Sequence, residues 1–561
     1  MKNILIRCTT FAGLGLLLFP FAVLATDGSD HLNDQETPRP NYLPAKPSNP
    51  FKLPPVEQSI GLPTQDQTKV KVDRVDFRGN TVFSAKELET IATPYVGRFI
   101  GVSELEELRQ QLTKYYVDHG YVNSGVLLSK ESANGVIVFQ VIEGKLTGIR
   151  FRGMAGLDYN YVAKRLVKDT DGPLNINDLR ERYQLLLTDP LFQRMNTRLM
   201  PDTNLGEAIL DVDVERARPY QLSATYNNYR PPSIGTQAVS LNGSVRNLTG
   251  RGDLVEASVE SPVSPMNSDL RGSLAWHMPI GYRGTEISFA IDHGLSSVVE
   301  ESLQALNIQS TMDSRDIGLS QTLIESLKHK LTLGLNHVDR KNTTTLLGTS
   351  FSFIQGEPNG VSTEELWRFW QEYSYRSETQ VLALRSTFTS GKNNIQYTAG
   401  LPPTGTPIKQ NYTIWLGQGQ YALQVMENGA QIVFKYTVQT TQDKLLPLDG
   451  ISIGGYNTLR GYVENQLVRD KGQIINIEFE YPIIHNELKT TLIPFFDIGQ
   501  GQNVGDVATT ISSVGLATRS QWRHFNFDIA IAKKLSYPNS IVNNGSSLQA
   551  QGVHFQLSYN Y

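Results

Sequence analysis

The pattern of apolar and polar positions changes character near residue 219. Before it, short alternating runs are interleaved with helical periods; after it, strand alternation is nearly continuous. From Thr68, the run Val70-Lys71-Val72-Asp73-Arg74-Val75-Asp76-Phe77 alternates and predicts a strand closed by Gly79-Asn80. Ser84 to Tyr95 and Ser103 to His119 predict helices. In the second, Leu105, Leu108, Leu112 and Tyr115 recur at helical spacing, Ser103 with Glu106 forms a capping pair, and Gly120 is the stop. Tyr121 to Ser129 and Val136 to Glu143 predict a hairpin about Asn134-Gly135. The order is β-α-α-β-β.

That order repeats. Ile149-Arg150-Phe151-Arg152-Gly153 echoes Val75-Asp76-Phe77-Arg78-Gly79, Leu179-Arg180 echoes Leu108-Arg109, and Val212-Asp213-Val214-Glu215 takes the place of Val141-Ile142-Glu143. Two copies of one α+β module fit residues 68–144 and 145–218.

From Pro219 to Tyr561 the period is that of strands. Ile475, Ile477, Phe479 and Tyr481 alternate with Asn476, Glu478 and Glu480; Phe525, Phe527, Ile529 and Ile531 alternate with polar residues, and so do Ile432, Phe434, Tyr436 and Val438. Val553, Phe555, Leu557, Tyr559 and Tyr561 form one face of a last strand that ends on an aromatic residue. A soluble sandwich also alternates. Aromatic-rich apolar faces and fully charged polar faces favour a membrane β-barrel with a wet lumen.

Composition narrows the class. The charge is 51 − 55 = −4, which excludes a nucleic-acid binder working by bulk positive charge, and 39% hydrophobic residues exclude wholesale disorder. No apolar run reaches the ~18–20 residues of a spanning helix, which leaves β-barrels open. Lys2 and Arg7, the apolar stretch Phe11 to Leu24 and the small residues up to Ala25 predict a signal peptide over 1–25. The only cysteine, Cys8, falls within it, so the mature chain has neither disulfide nor thiolate metal site. Residues 26–67 carry eight prolines and predict an extended, flexible linker.

Few motifs point to chemistry. Gly450-Ile451-Ser452-Ile453-Gly454 matches the nucleophile-elbow string, but no helix signal follows. Nine scattered histidines offer no metal cluster, and no phosphate-binding loop is present, so neither cofactor nor metal is expected and an enzyme is the least favoured class. Arg251-Gly252-Asp253 reads as a tight turn between strands. The informative segment is Gly454-Gly455 followed by Leu459-Arg460-Gly461-Tyr462, one arginine on a glycine-rich hairpin. Downstream, Leu492, Phe496 and Ile498 share a face, so Asp497 and Phe495 face the other way. A carboxylate against lipid is destabilising, which turns Asp497 into the lumen. Either Arg460 meets Asp497 there, in a contact limited by a wet lumen to ~1–3 kcal/mol, or it tips a solvated outer loop.

Taken together, these features resemble the two-partner secretion transporters (TpsB) of the outer-membrane protein assembly superfamily. Leu459-Arg460-Gly461-Tyr462 matches the (V/L)-R-G-(Y/F) tip of that family's sixth extracellular loop. Phe495-x-Asp497-x-Gly499 matches its partner strand, and Asn247 to Asp253 resembles its early barrel turn. The resemblance implies two POTRA modules (68–144 and 145–218) in the periplasm and a sixteen-stranded antiparallel barrel (219–561) in the outer membrane of a Gram-negative bacterium. The implied activity is export of one large, β-rich exoprotein, captured unfolded by the modules and passed through the pore. Outer-membrane lipid and the barrel assembly machinery are the other implied partners, the latter reading Phe555, Leu557, Tyr559 and Tyr561 as a signal strand; nucleic acid is not one. Many members carry an N-terminal plug helix, whereas Thr26 to Thr37 is short, acidic and without a clear apolar face. The alternatives are a general insertase of the same superfamily, which would carry three or more modules, and a passive porin, which would need neither modules nor the arginine loop.

Overall fold

The computed structural model describes residues 39, 41–43, 51–52, 69–167, 172–263, 269–300, 303–398, 403, 405–536, 538 and 547–561. The signal peptide and the Thr26 to Thr37 segment lie outside the described residues. The chain divides into a unit over Lys46–Pro219 and a barrel unit over Tyr220–Tyr561 that includes the segment up to Ala45.

In the first unit, the strand Arg74–Arg78 runs parallel to Val136–Ile142, which is antiparallel to Gly125–Leu128. The helices Ala85–Ala92 and Val102–Asp118 bury Leu88, Leu108, Leu112 and Tyr116 against Phe139 of the central strand. Alternation alone joins residues 70–77 into one strand; the chain instead breaks it, and Val70–Lys71 pairs with Phe99–Ile100. The longer helix also starts before the expected Ser103. Glu104 reaches back so that the Gly101 N–H donates to Glu104 Oε2 at 3.0 Å, which satisfies the first turn from Gly101.

The second module repeats the arrangement. Lys145–Arg152 is parallel to Glu207–Arg216, which is antiparallel to Phe192–Pro201, with the helices Tyr159–Leu166 and Ile176–Leu186 packed on Leu210 and Val212. The sequence echo is structural: Gly79 and Gly153 both leave their strands at positive φ (79° and 78°), and Leu108 and Leu179 are both buried. The two modules share hydrogen bonds, from Ile176 N to Gly120 O (2.9 Å), Leu174 N to Gly144 O (2.7 Å) and Asn123 Nδ2 to Gly206 O (2.9 Å).

Two linker stretches depart from the expectation of free flexibility. Phe51–Lys52 adds to the second module's sheet, parallel to Thr197 and Arg198. In the barrel unit, Tyr42 Oη donates to Gln431 Oε1 (2.5 Å), Leu43 N donates to Ser377 O (2.9 Å), and Arg39 Nη2 lies 3.6 Å from Glu480.

The second unit is a closed antiparallel barrel of sixteen strands, from Tyr220–Asn227 to Val553–Asn560. An even number of strands puts both ends of the ladder at one rim. The alternation sorts side chains as their polarity dictates. Ile317, Leu319, Phe369, Phe388, Ile432, Phe434, Ile477 and Leu516 project from the outer face, between 41 and 54% exposed. Glu364, Glu478, Glu480 and Asp497 are buried on the inner face, none more than 5% exposed. An apolar outer face around a charged interior is the arrangement of a membrane barrel. No helix among the described residues is long and apolar enough to cross a membrane, which says nothing against crossing by strands.

Candidate functional site

The connection over 441–470, at the rim opposite the chain ends of the barrel, folds inward. Its stem begins with the turn Pro447–Asp449, and Ile451–Ile453 then pairs antiparallel with Leu467–Arg469. Burial drives this: Ile451, Ile453, Leu459, Tyr462 and Leu467 pack on Ile474 and Ile511 of the wall. The wall makes room at Gly499, where a Cβ would sit 2.6 Å from Ile453 Cγ2 and 3.0 Å from Leu459 Cδ1. The tip turns through Gly454 and Gly455 at φ 122° and 109°; a Cβ on Gly455 would lie 1.8 Å from Glu464, whose Oε1 accepts from Tyr456 N (2.7 Å). Ser452 is 3% exposed and its hydroxyl pairs with Asn465 Oδ1, so this string is a buried hairpin edge.

Arg460 sits at the tip with its side chain 6% exposed. It donates from Nε to Asp497 Oδ2 (2.8 Å) and from Nη2 to Asp497 Oδ1 (2.7 Å), and its main-chain N–H also reaches Oδ2 (3.1 Å). The guanidinium lies 3.6 Å over the Phe495 ring. The structure therefore brings Arg460, Phe495 and Asp497 together inside the barrel. Leu459 and Tyr462 are buried on either side, and Tyr462 Oη lies within hydrogen-bond distance of Ser536 O (2.5 Å) and Ser512 O (3.2 Å).

Sequence reasoning missed the rest of the cage. Arg460 Nη1 meets Glu478 Oε1 at 2.8 Å, so one cation faces two carboxylates. Lys435 lies 3.7 Å from the same Glu478 oxygen. Asn476 Nδ2 donates to Asp497 Oδ1 (2.9 Å) and Thr458 O (2.7 Å), and Ser513 Oγ donates to Arg460 O (2.5 Å). The signal was available: a hairpin about Asn486-Glu487 registers Asn476 opposite Asp497 and Glu478 opposite Phe495, all on the polar face.

The stem has its own anchor on another sector of wall. Asp449 Oδ1 lies 3.2 Å from Arg340 Nη1, and Tyr412 Oη pairs with both Asp449 Oδ2 and Glu364 Oε1. The loop thus crosses the lumen between two fixed points. The other singled-out motifs are structural. Asp253 is fully buried and its carboxylate accepts from Thr249 N (2.9 Å) and Trp276 Nε1 (3.2 Å), which leaves the Arg-Gly-Asp tripeptide as a turn. Phe555, Leu557 and Tyr559 lie on the closing strand, Leu557 and Tyr559 facing outward, and Tyr561 follows it. Among the described residues no group of histidine and carboxylate side chains could hold a metal ion.

Comparison with known proteins agrees with this architecture. The chain is 21% identical over 499 residues to the hemolysin transporter protein HpmB of Proteus mirabilis, covering 84% of this chain and 83% of that one. It is 18% identical to the outer membrane transporter CdiB of Dickeya dadantii, covering 83% and 82%. Its fold is similar to that of CdiB from Escherichia coli (TM-score 0.66, 18% identity, 95% of each chain). It is also similar to BamA from Haemophilus ducreyi lacking POTRA domains 1–3 (TM-score 0.52, 13% identity, 88% of this chain and 100% of that one). Residues 70–144 match the ShlB-type POTRA domain, and residues 206–520 match the family described as haemolysin secretion/activation protein ShlB/FhaC/HecB. With that match spanning more than half of its length, the chain belongs to the ShlB/FhaC/HecB family of two-partner secretion transporters of the outer membrane.

Proposed function

We propose that this protein exports one large exoprotein, received unfolded in the periplasm and passed outward through the barrel. The observation that carries the reading is the inward-folded 441–470 loop fixed by Arg460 inside a membrane barrel that follows two α+β modules. The modules supply edges for strand addition: Gly125–Leu128 is an edge strand with Leu127 and Leu128 exposed. The exoprotein supplies the driving force by folding outside, since the sequence has no nucleotide-binding motif. The protein works as a transporter without catalysis. Lipid covers the outer belt, and the barrel assembly machinery inserts it.

The deciding experiment expresses a neighbouring gene's large β-rich product with and without this protein. Export should require it, while the levels of other outer-membrane proteins stay unchanged. A general fall in outer-membrane proteins on its loss would instead favour an insertase, and export in its absence would overturn the assignment.

A further inference from the structure

The barrel closes between Tyr220–Asn227 and Val553–Asn560. That seam is registered only from Ser223↔Asn560 to Asn227↔Gln556, five pairs, fewer than any other neighbouring strands of the barrel share. Beyond the last pair one more main-chain bond forms, Asn228 N to Phe555 O (3.3 Å), and side chains then take over. Asn228, 1% exposed, donates from Nδ2 to Val553 O (3.0 Å) and accepts at Oδ1 from Phe555 N (2.8 Å). Gln549, fully buried, reaches the same place from the loop before the last strand. Its Nε2 donates to Arg230 O (2.9 Å) and pairs with Asn228 O, while its Oε1 accepts from Glu464 N (3.0 Å) of the lumenal loop.

Two more contacts join the loop tip to the seam. Gly461 N donates to His554 Nε2 on the last strand (3.3 Å), and the Tyr456 ring stacks on Tyr229 just past the first strand (centroids 4.5 Å apart, planes at 10°). The residues involved, Tyr456, Gly461 and Glu464, flank Arg460. Their places are set by the Asp497 contact on one side and by the Glu464–Tyr456 turn on the other.

We propose that the tip of the 441–470 loop braces the barrel's closing seam, and that Gln549 is the positioning residue that carries the Arg460 lock to it. This rests on the reading of Arg460 as a lock. Because the test uses no exoprotein, its failure would leave the export reading standing. A short ladder exposes unpaired main-chain groups at its end; Asn228 satisfies those of the last strand, and the buried Gln549 amide joins the main chain beyond the first strand to the loop. Withdrawal of the tip would therefore loosen the seam, and a seam held shut by other means would no longer need the tip.

Thr225 and Ser558 face each other directly across the seam with hydroxyls 3.1 Å apart, so their side chains point at each other and cysteines placed there can be joined. Cys8 is the only native cysteine, so Thr225→Cys with Ser558→Cys makes a clean staple. The full-length protein, purified in detergent, is followed by the temperature at which its gel mobility changes and by conductance in planar lipid bilayers. Gln549→Ala should lower that temperature by at least about 3 °C and increase conductance fluctuations severalfold. The oxidised staple should restore both, and reduction should abolish the rescue. Arg460→Ala with Gln549→Ala should be no worse than Arg460→Ala alone. Gln549→Glu, which keeps the acceptor for Glu464 N but loses the donor, should fall between. If Gln549→Ala yields no folded barrel, the stapled form must yield one. Wild-type behaviour of Gln549→Ala, a staple that rescues nothing, or additive losses would each overturn the proposal.

Discussion

Arg460 and Asp497 meet side-on, Nε to Oδ2 and Nη2 to Oδ1, while the remaining guanidinium nitrogen, Nη1, turns to Glu478. Arginine's planar fork suits this double engagement, because lysine presents a single point of charge. The site is drier than a wet lumen: Asp497 is fully buried and Glu478 is 4% exposed. Removing the cation leaves the buried Asp497 carboxylate without its ion pair, while Glu478 keeps Lys435, a cost of about 3–5 kcal/mol, above the ~1–3 kcal/mol expected for a solvated pair.

Arg460→Ala should therefore free the 441–470 loop, read as faster hydrogen exchange and protease cleavage there, and lower export at least tenfold while the barrel stays inserted. Arg460→Lys should lose less. Asp497→Ala should resemble Arg460→Ala, and the double change should be no worse than either. Exchanging the two, Arg460→Asp with Asp497→Arg, should fail to restore export, since the new Asp would face Glu478. Simple additivity of the single changes, or rescue by the exchange, would show that the pair does not act as one lock.

The closing strand carries the second prediction. Tyr559 is registered with Ala224 on one side and Phe525 on the other, and Tyr561 N donates to Leu222 O (2.9 Å). Deleting Tyr559 to Tyr561 removes the periplasmic end of an already short seam and the outward aromatics proposed as the assembly signal. Outer-membrane levels of the folded, heat-modifiable form should fall severalfold. Undiminished levels would refute the role.

The alternation placed Phe495 and Asp497 on one face and Phe496 and Ile498 on the other because a period of two leaves no freedom once lipid claims one side. Glu478 was legible as a polar position but not as a partner, because pairing depends on a register that only the Asn486-Glu487 turn fixes. The Asp449–Arg340 anchor was not legible: it joins the loop's first turn to a wall strand 109 residues earlier, a separation that carries no local signal. Nor was Phe51–Lys52, where tertiary pairing overrides a proline-rich neighbourhood. The Gly101 start of the helix was misplaced because Ser103 is the better cap by residue type, whereas the position of Glu104 decided it.

The third prediction separates the units. The barrel closes on itself through its own strands, and the modules have their own cores around Leu108 and Phe139 and around Leu179 and Leu210. A chain of residues 219–561 behind a signal peptide should insert and show heat-modifiable mobility, yet export nothing. Continued export would remove the modules from the mechanism.

The last prediction concerns the modules alone, residues 68–218, in acid. The Arg109 guanidinium, 2.8 and 2.5 Å from the two carboxylate oxygens, holds Glu106 below the usual carboxylate range. The hydroxyl and N–H of Ser84 do the same for Glu87, and the hydroxyl of Thr147 and the N–H of Thr203 for Asp202. A carboxylate whose pKa is lower folded than unfolded binds fewer protons when folded. Its stabilising contribution is therefore complete above the unfolded value, about 4 for Asp and Glu, and is lost as pH falls through the folded value. The urea midpoint of this fragment should stay level from pH 7 to about pH 5 and then fall toward pH 3. All three groups keep contact with solvent, so each effect is modest and salt-sensitive. Glu106→Gln should lower the midpoint at pH 7 and flatten the fall, bringing wild type and variant together near pH 3. A constant offset at every pH would mean that Glu106 contributes by packing and not through its charge.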